Sequence, residues 1–121
     1  MRPKELTDIL ARLDGAAVEC DGFVRLATTV LRHLGVPHRV MKGSVTGPLG
    51  QIPYHFWIEI DGTICDYRAR MWLGPDAPHG IFAPSPDWAY TGNEEPMGSL
   101  PESVFFILAG QSVENVVGSG F

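Results

Sequence analysis

Disulfides, metal-ligand spacing, basic clusters and long apolar runs are all missing from this chain. Its 121 residues contain two cysteines, Cys20 and Cys65, too few for the disulfide scaffold of a small secreted domain. No Cys-x-x-Cys pair occurs, and His33, His38 and His79 lack partners at zinc-ligand spacing, so no metal is expected. The net charge is −5 with no block of Lys or Arg. Nucleic acid and membrane are therefore not expected as partners, because both are gripped by clustered cations. No apolar run approaches the roughly 20 residues of a membrane span. The start Met1-Arg2-Pro3-Lys4-Glu5 leads into a helix of mixed polarity rather than a secretory signal, and a cytoplasmic location is the expectation. A Gly-Lys-Ser/Thr phosphate loop is also missing.

The composition that remains, 45% hydrophobic and 19% charged, is that of a globular protein, and the length suits a single domain over residues 1–121. Leu6, Ile9, Leu10 and Leu13 fall at i, i+3, i+4 and i+7, which predicts a helix over residues 3–13. A second amphipathic helix is predicted over residues 20–34, with Phe23, Leu26, Ala27, Val30, Leu31 and Leu34 as its stripe and Gly35 and Pro37 as its stop. A strand over residues 36–45 and a Gly/Pro-rich connection over 46–53 follow. Then come strands over 55–60 and 63–69, joined by Asp61-Gly62, a strong type I′ turn signal. The Pro/Gly-rich residues 73–101 read as a covering loop, with Trp72, Phe82, Trp88 and Tyr90 either pinning it to the body, the favoured reading, or walling a substrate cleft. Residues 104–109 read as a buried strand, and the glycine-rich tail 118–121 as mobile. The expected fold is α+β, with two N-terminal helices on an antiparallel sheet of about four strands.

The hairpin sorts the chemistry. With Asp61 and Gly62 as loop residues, cross-strand partners sum to 123, and alternation puts His55, Trp57, Glu59, Ile64, Asp66 and Arg68 on one face. Phe56, Ile58, Ile60, Cys65 and Tyr67 take the other. His55 and Asp66 are then diagonal neighbours within hydrogen-bonding reach. Cys65 falls on the apolar face, where a cysteine behaves as a small hydrophobe. Cys20 opens the second helix, where free N–H groups favour a thiolate. A thiol, a base and a carboxylate that orients the base are the parts of covalent acyl transfer. Trp57 reads first as a packing residue and, as the alternative, as a candidate wall of the acyl pocket.

These residues carry a family resemblance. Cys20-Asp21-Gly22-Phe23 at a helix start, Leu34-Gly35-Val36-Pro37-His38-Arg39-Val40, Tyr54-His55-Phe56-Trp57-Ile58-Glu59-Ile60 and Ile64-Cys65-Asp66-Tyr67 together resemble the transglutaminase-like superfamily of papain-like cysteine enzymes. The resemblance covers a little under half the chain. It departs from the family at Phe56, which stands where a small residue is usual, and at Asp66-Tyr67-Arg68-Ala69, which replaces Asp-Pro-Thr. It implies Cys20 as nucleophile, His55 as general base and Asp66 as its orienter. The implied enzyme is a cysteine hydrolase or acyl transferase that needs no cofactor and acts on amide bonds of a protein or peptide substrate. Two other readings fit the same residues: a catalytically silent binding module, and a thiol acyl carrier resembling arylamine acetyl transfer.

Overall fold

In the computed structural model, residues 1–118 are described, and the tail expected to be mobile lies almost wholly outside them. Among the described residues there are five helices and five strands. Helix α1 (Pro3–Ala11) buries Leu6, Ile9 and Leu10, and Leu13 just beyond it is also buried. Helix α2 (Cys20–His33) buries Phe23, Leu26, Ala27, Val30 and Leu31. It stops in a Schellman arrangement: Gly35 takes φ +69°, its N–H donates to the Arg32 carbonyl, and the Val36 N–H donates to the Leu31 carbonyl.

That stop explains why the next strand starts late. The Val36 N–H is spent on the helix, Pro37 has no N–H, and His38 Nδ1 donates to the Val36 carbonyl (2.9 Å) while Nε2 accepts from the Thr28 hydroxyl. Strand β1 (Arg39–Gly47) therefore begins at Arg39, opposite Glu59.

The stretch expected as a connection over 46–53 is instead a hairpin. β1 runs to Gly47, Pro48 and Leu49 make the turn, and β2 (Gly50–Ile60) returns. Pro53 is accommodated because the register shifts there: two steps from Gly43 to Val45 face three from Ile52 to His55. This bulge leaves a residue out of the ladder, the position where a missing N–H costs least.

The Asp61-Gly62 turn forms as read, with φ of 48° and 78°. The pairs Ile58–Cys65, Glu59–Ile64 and Ile60–Thr63 follow the expected register. Strand β3 (Thr63–Asp66) is shorter than expected, so Arg68 does not lie opposite His55. It ends because the Asp66 carboxylate captures the Arg68 and Ala69 N–H groups, turning the chain into α3 (Arg70–Leu73).

Residues 73–101 are not a plain covering loop. They contain β4 (Gly80–Phe82), which pairs with β3, and β5 (Ala89–Glu94), which pairs with β1. The sheet therefore has five antiparallel strands in the order β4-β3-β2-β1-β5 rather than about four. The expected strand over 104–109 is helix α4 (Glu102–Ala109), opened by Pro101 and closed by Gly110 in the left-handed region. Only its Phe105 is buried; Phe106 and Ile107 are exposed. Helix α5 (Val113–Val117) follows, N-capped by the Ser112 hydroxyl.

The main core lies between the helices and one sheet face, and includes Leu10, Phe23, Leu31, Ile58, Ile60, Cys65, Tyr67 and Phe105. The other face carries two smaller clusters. One is Met41, Trp57 and Ile64 with Phe82 and Tyr90 against them; the other is Val45, Ile52, Ala69, Leu73 and Ala77. Among the described residues, no helix is long and apolar enough to cross a membrane.

Candidate active site

Residues from three elements converge. Cys20 is the first residue of α2 and is half-buried. Its flank Glu19 makes no side-chain cap, and the first helical bond is that from the Phe23 N–H to the Glu19 carbonyl. The N–H groups of Cys20, Asp21 and Gly22 thus precede the first intrahelical bond. Such a turn presents donors to an anion.

His55 sits beyond the β2 bulge and is fully buried; Asp66 ends β3 and is 2% exposed. His55 Nε2 donates to Asp66 Oδ2 at 2.7 Å. The carboxylate fixes the tautomer or, on a doubly protonated ring, holds the charge. The other ring nitrogen, Nδ1, is buried and has no partner of full hydrogen-bond geometry among the described residues. The Cys20 thiol is nevertheless close enough to add to the proton affinity of the ring. Burial works against a charged His55, but the Asp66 hydrogen bond and the Cys20 interaction outweigh it, and the imidazole is pushed up to about 9. The structure thus brings Cys20, His55 and Asp66 together.

Asp66 is saturated. Oδ1 accepts from the N–H groups of Arg68 (2.9 Å) and Ala69 (3.1 Å), and Oδ2 accepts from His55 and from the Tyr90 hydroxyl (2.7 Å). Cys65 lies in the main core at 1% exposure, and burial together with the neighbouring Asp66 charge pushes its thiol far up.

Trp57 is placed as a packing residue rather than as the wall of an open pocket. It is 1% exposed, stacks on His55 with centroids 6.4 Å apart, and meets Tyr90 edge-on at 5.1 Å. A depression of about 520 Å³ instead lies beside the start of α2, lined by Asp14, Val18, Glu19, Arg68 and Met71 among others. An apolar groove of about 500 Å³, walled by Leu6, Leu34, Val36, Ile60 and Ile81, contains none of the three site residues.

Sequence reasoning missed Arg68. Its buried guanidinium uses all five N–H groups. Nε donates to the Val18 carbonyl (2.8 Å), Nη1 to Asp14 Oδ1 and the Tyr67 carbonyl (both 2.8 Å), and Nη2 to the carbonyls of Asp14 and Ala16 (both 3.0 Å). Asp14 Oδ2 also accepts from His79 Nε2 at 2.9 Å. The guanidinium lies 4.8 Å from the Phe23 ring centroid. The loop that delivers Cys20 is thereby tied to the residues just after Asp66. A saturated guanidinium reads in sequence as any surface arginine. Tyr90 was read as a loop pin, and the only signal that could have raised it was its aromatic character within a polar stretch.

Comparison with known proteins finds no matching family, no matching curated protein and no matching solved structure. Among the described residues, no group of three or more His, Cys, Asp or Glu could hold a metal ion. What the site offers chemically is a thiol, a base with a buried carboxylate behind it, and free backbone donors at a helix start.

Proposed function

We propose that the protein is a cysteine hydrolase or acyl transferase acting on peptide or isopeptide amide bonds, with a transglutaminase-like core. The observation that carries this reading is the buried 2.7 Å bond from His55 Nε2 to Asp66 Oδ2, with Cys20 near enough to raise the same imidazole. The chain order of a Cys-led helix, a His strand and an Asp strand supports the same reading.

In the proposed cycle His55 holds the Cys20 proton, and the thiolate attacks the amide carbonyl carbon. The C–O π electrons move to oxygen, which faces the free N–H groups at the start of α2. The C–N bond then breaks and the His55 imidazolium gives its proton to the leaving amine. A thioester remains. Water, deprotonated by His55, attacks the thioester; the carboxylic acid leaves and the proton returns to the Cys20 sulfur. An amine in place of water would give transfer rather than hydrolysis.

Iodoacetamide alkylation, with Cys20 and Cys65 mapped separately by mass spectrometry, tests this in wild type and His55→Ala. Fast labelling of Cys20 that His55→Ala slows is expected. A silent binding module is the second reading, favoured by the near-complete burial of His55, Asp66 and Trp57. It requires Cys20 labelling to be indifferent to His55.

A further inference from the structure

The four bonds to Asp66 have different origins. The two to Oδ1 come from residues two and three places along the chain, and the His55 bond follows from the hairpin register. Tyr90 arrives from β5, on the opposite edge of the sheet from β4, where it pairs with Val45 of β1. That pairing depends on an unusually close approach of β1 and β5. A Cβ on Gly43 would collide with the Thr91 carbonyl, and one on Gly92 with the Lys42 carbonyl. The Tyr90 ring is held by Trp57 edge-on at 5.1 Å and by Phe82 at 5.9 Å. Burial, and next the Asp66 charge, push its phenol well above the ordinary range, so it remains a donor at any working pH. Its bond to Oδ2, at 2.7 Å, has the length of a charge-assisted hydrogen bond.

We propose that Tyr90 is a positioning residue of this site, whose hydroxyl shares Asp66 Oδ2 with His55 and so limits how strongly the carboxylate holds the imidazolium. The proposal rests on the cysteine-enzyme reading for its catalytic meaning. A carboxylate that accepts more hydrogen bonds is a weaker base, and a weaker base stabilises a neighbouring cation less. In the cycle above His55 is an acid toward the leaving amine and then a base toward water. An imidazolium held too firmly would stall the second half. Tyr90 thus keeps one histidine usable in both directions.

The charged and titratable groups that bear on the pair are few. Cys20 comes from α2, Asp66 and Cys65 from β3, and Tyr90 from β5. The Cys65 thiol stays neutral, so burial, Asp66 and Cys20 act on the basicity of His55 directly, and Tyr90 acts through Asp66.

The test is an NMR titration of the His55 ring in the full chain, in wild type, in Tyr90→Phe and in protein labelled with 3-fluorotyrosine. Removing the hydroxyl should raise the His55 midpoint by about half to one pH unit. Fluorination makes the O–H a stronger donor and should lower the midpoint. Fluorination also reaches Tyr54 and Tyr67, but Tyr54 is exposed and the Tyr67 hydroxyl has no partner among the described residues. If Tyr90→Phe fails to fold, the fluorinated protein still decides the sign. A midpoint that does not move, or moves opposite to these directions, overturns the proposal. Repeating the titration in Cys20→Ser separates the two claims. The Tyr90 effect must persist there, whereas failure of the cysteine-enzyme reading appears only as alkylation indifferent to His55.

Discussion

The two cysteines occupy regions of opposite character, and one carboxylate acts on both. Cys20 is half-buried at a helix start, beside an imidazole whose positive form Asp66 stabilises. Cys65 is in the core on the neighbouring position of β3, where the same Asp66 charge adds to burial in opposing a thiolate. The same negative charge therefore supports the imidazolium beside one thiol and opposes ionisation of the other. The difference is the cation between them: His55 stands between Asp66 and Cys20, and no positive group stands between Asp66 and Cys65 among the described residues. On the cysteine-enzyme proposal, reactivity follows what separates the thiol from the carboxylate rather than distance to it.

The sharpest way to break that contrast is to remove each thiol in turn. With p-nitrophenyl acetate as a generic acyl donor, Cys20→Ala should lower turnover by roughly a thousandfold or more. Cys65→Ala should leave it within about twofold. Equal losses from the two variants would mean that the contrast has no catalytic meaning.

The second largest effect is expected at Arg68, which holds the loop before Cys20 but touches neither thiol. Arg68→Ala leaves the Asp14 carboxylate with His79 alone and takes a donor from the carbonyls of Asp14, Val18, Ala16 and Tyr67. Chemical denaturation should show a loss of about 3 kcal/mol. Alkylation of Cys20 should lose its dependence on His55 as the helix start shifts. Arg68→Lys should restore little, because one ammonium cannot span four residues from a single point.

What was legible in the sequence divides along a similar boundary. Residues 55–66 could be read because period-two alternation and a two-residue Asp-Gly turn leave a single register, and that register separates Cys65 from His55 and Asp66. The Cys20 helix could be read from its apolar stripe and its Gly35-Pro37 stop. The rest depends on contacts between distant segments. Pro48, Gly50 and Pro53 look like breakers, yet they build a tight turn and a bulge in a continuous hairpin. β5 is a mostly exposed edge strand and lacks the alternation of a half-buried one, so neither it nor the approach of Tyr90 to Asp66 was visible. Val104 to Ala109 is too short and too uniformly apolar for periodicity to separate helix from strand. Pro101 and Gly110 at its ends were the better guide.

A third test asks whether the positive charge at His55 is part of the folded state. The imidazole is raised from 6.5 to about 9 in the fold. A raised value means that the folded chain binds the proton more tightly than the unfolded chain. The stabilisation is therefore complete below pH 6.5 and is lost as pH rises through about 9. Denaturation midpoints should fall across that window by an amount on the order of 3 kcal/mol in stability, and His55→Ala should flatten the curve. Turnover of an amide donor should decline over the alkaline end of the same window, because the imidazolium that protonates the leaving amine disappears.

The smallest effect is expected at Cys65 itself, and it sharpens the contrast from the structural side. If Cys65 is only a small hydrophobe, Cys65→Ala should cost about 1 kcal/mol, the packing of one sulfur atom. Its native thiol should react with iodoacetamide only through opening of the core, so its labelling rate should rise with denaturant in step with unfolding. Cys20 should label in the native state with little dependence on denaturant below the transition. A Cys65 that labels as fast as Cys20 in the native chain would mean that β3 opens locally. Asp66 lies on the same short strand, so such opening would release the carboxylate from His55 as well. Denaturant-dependent labelling of Cys65 therefore measures how firmly the carboxylate behind His55 is held.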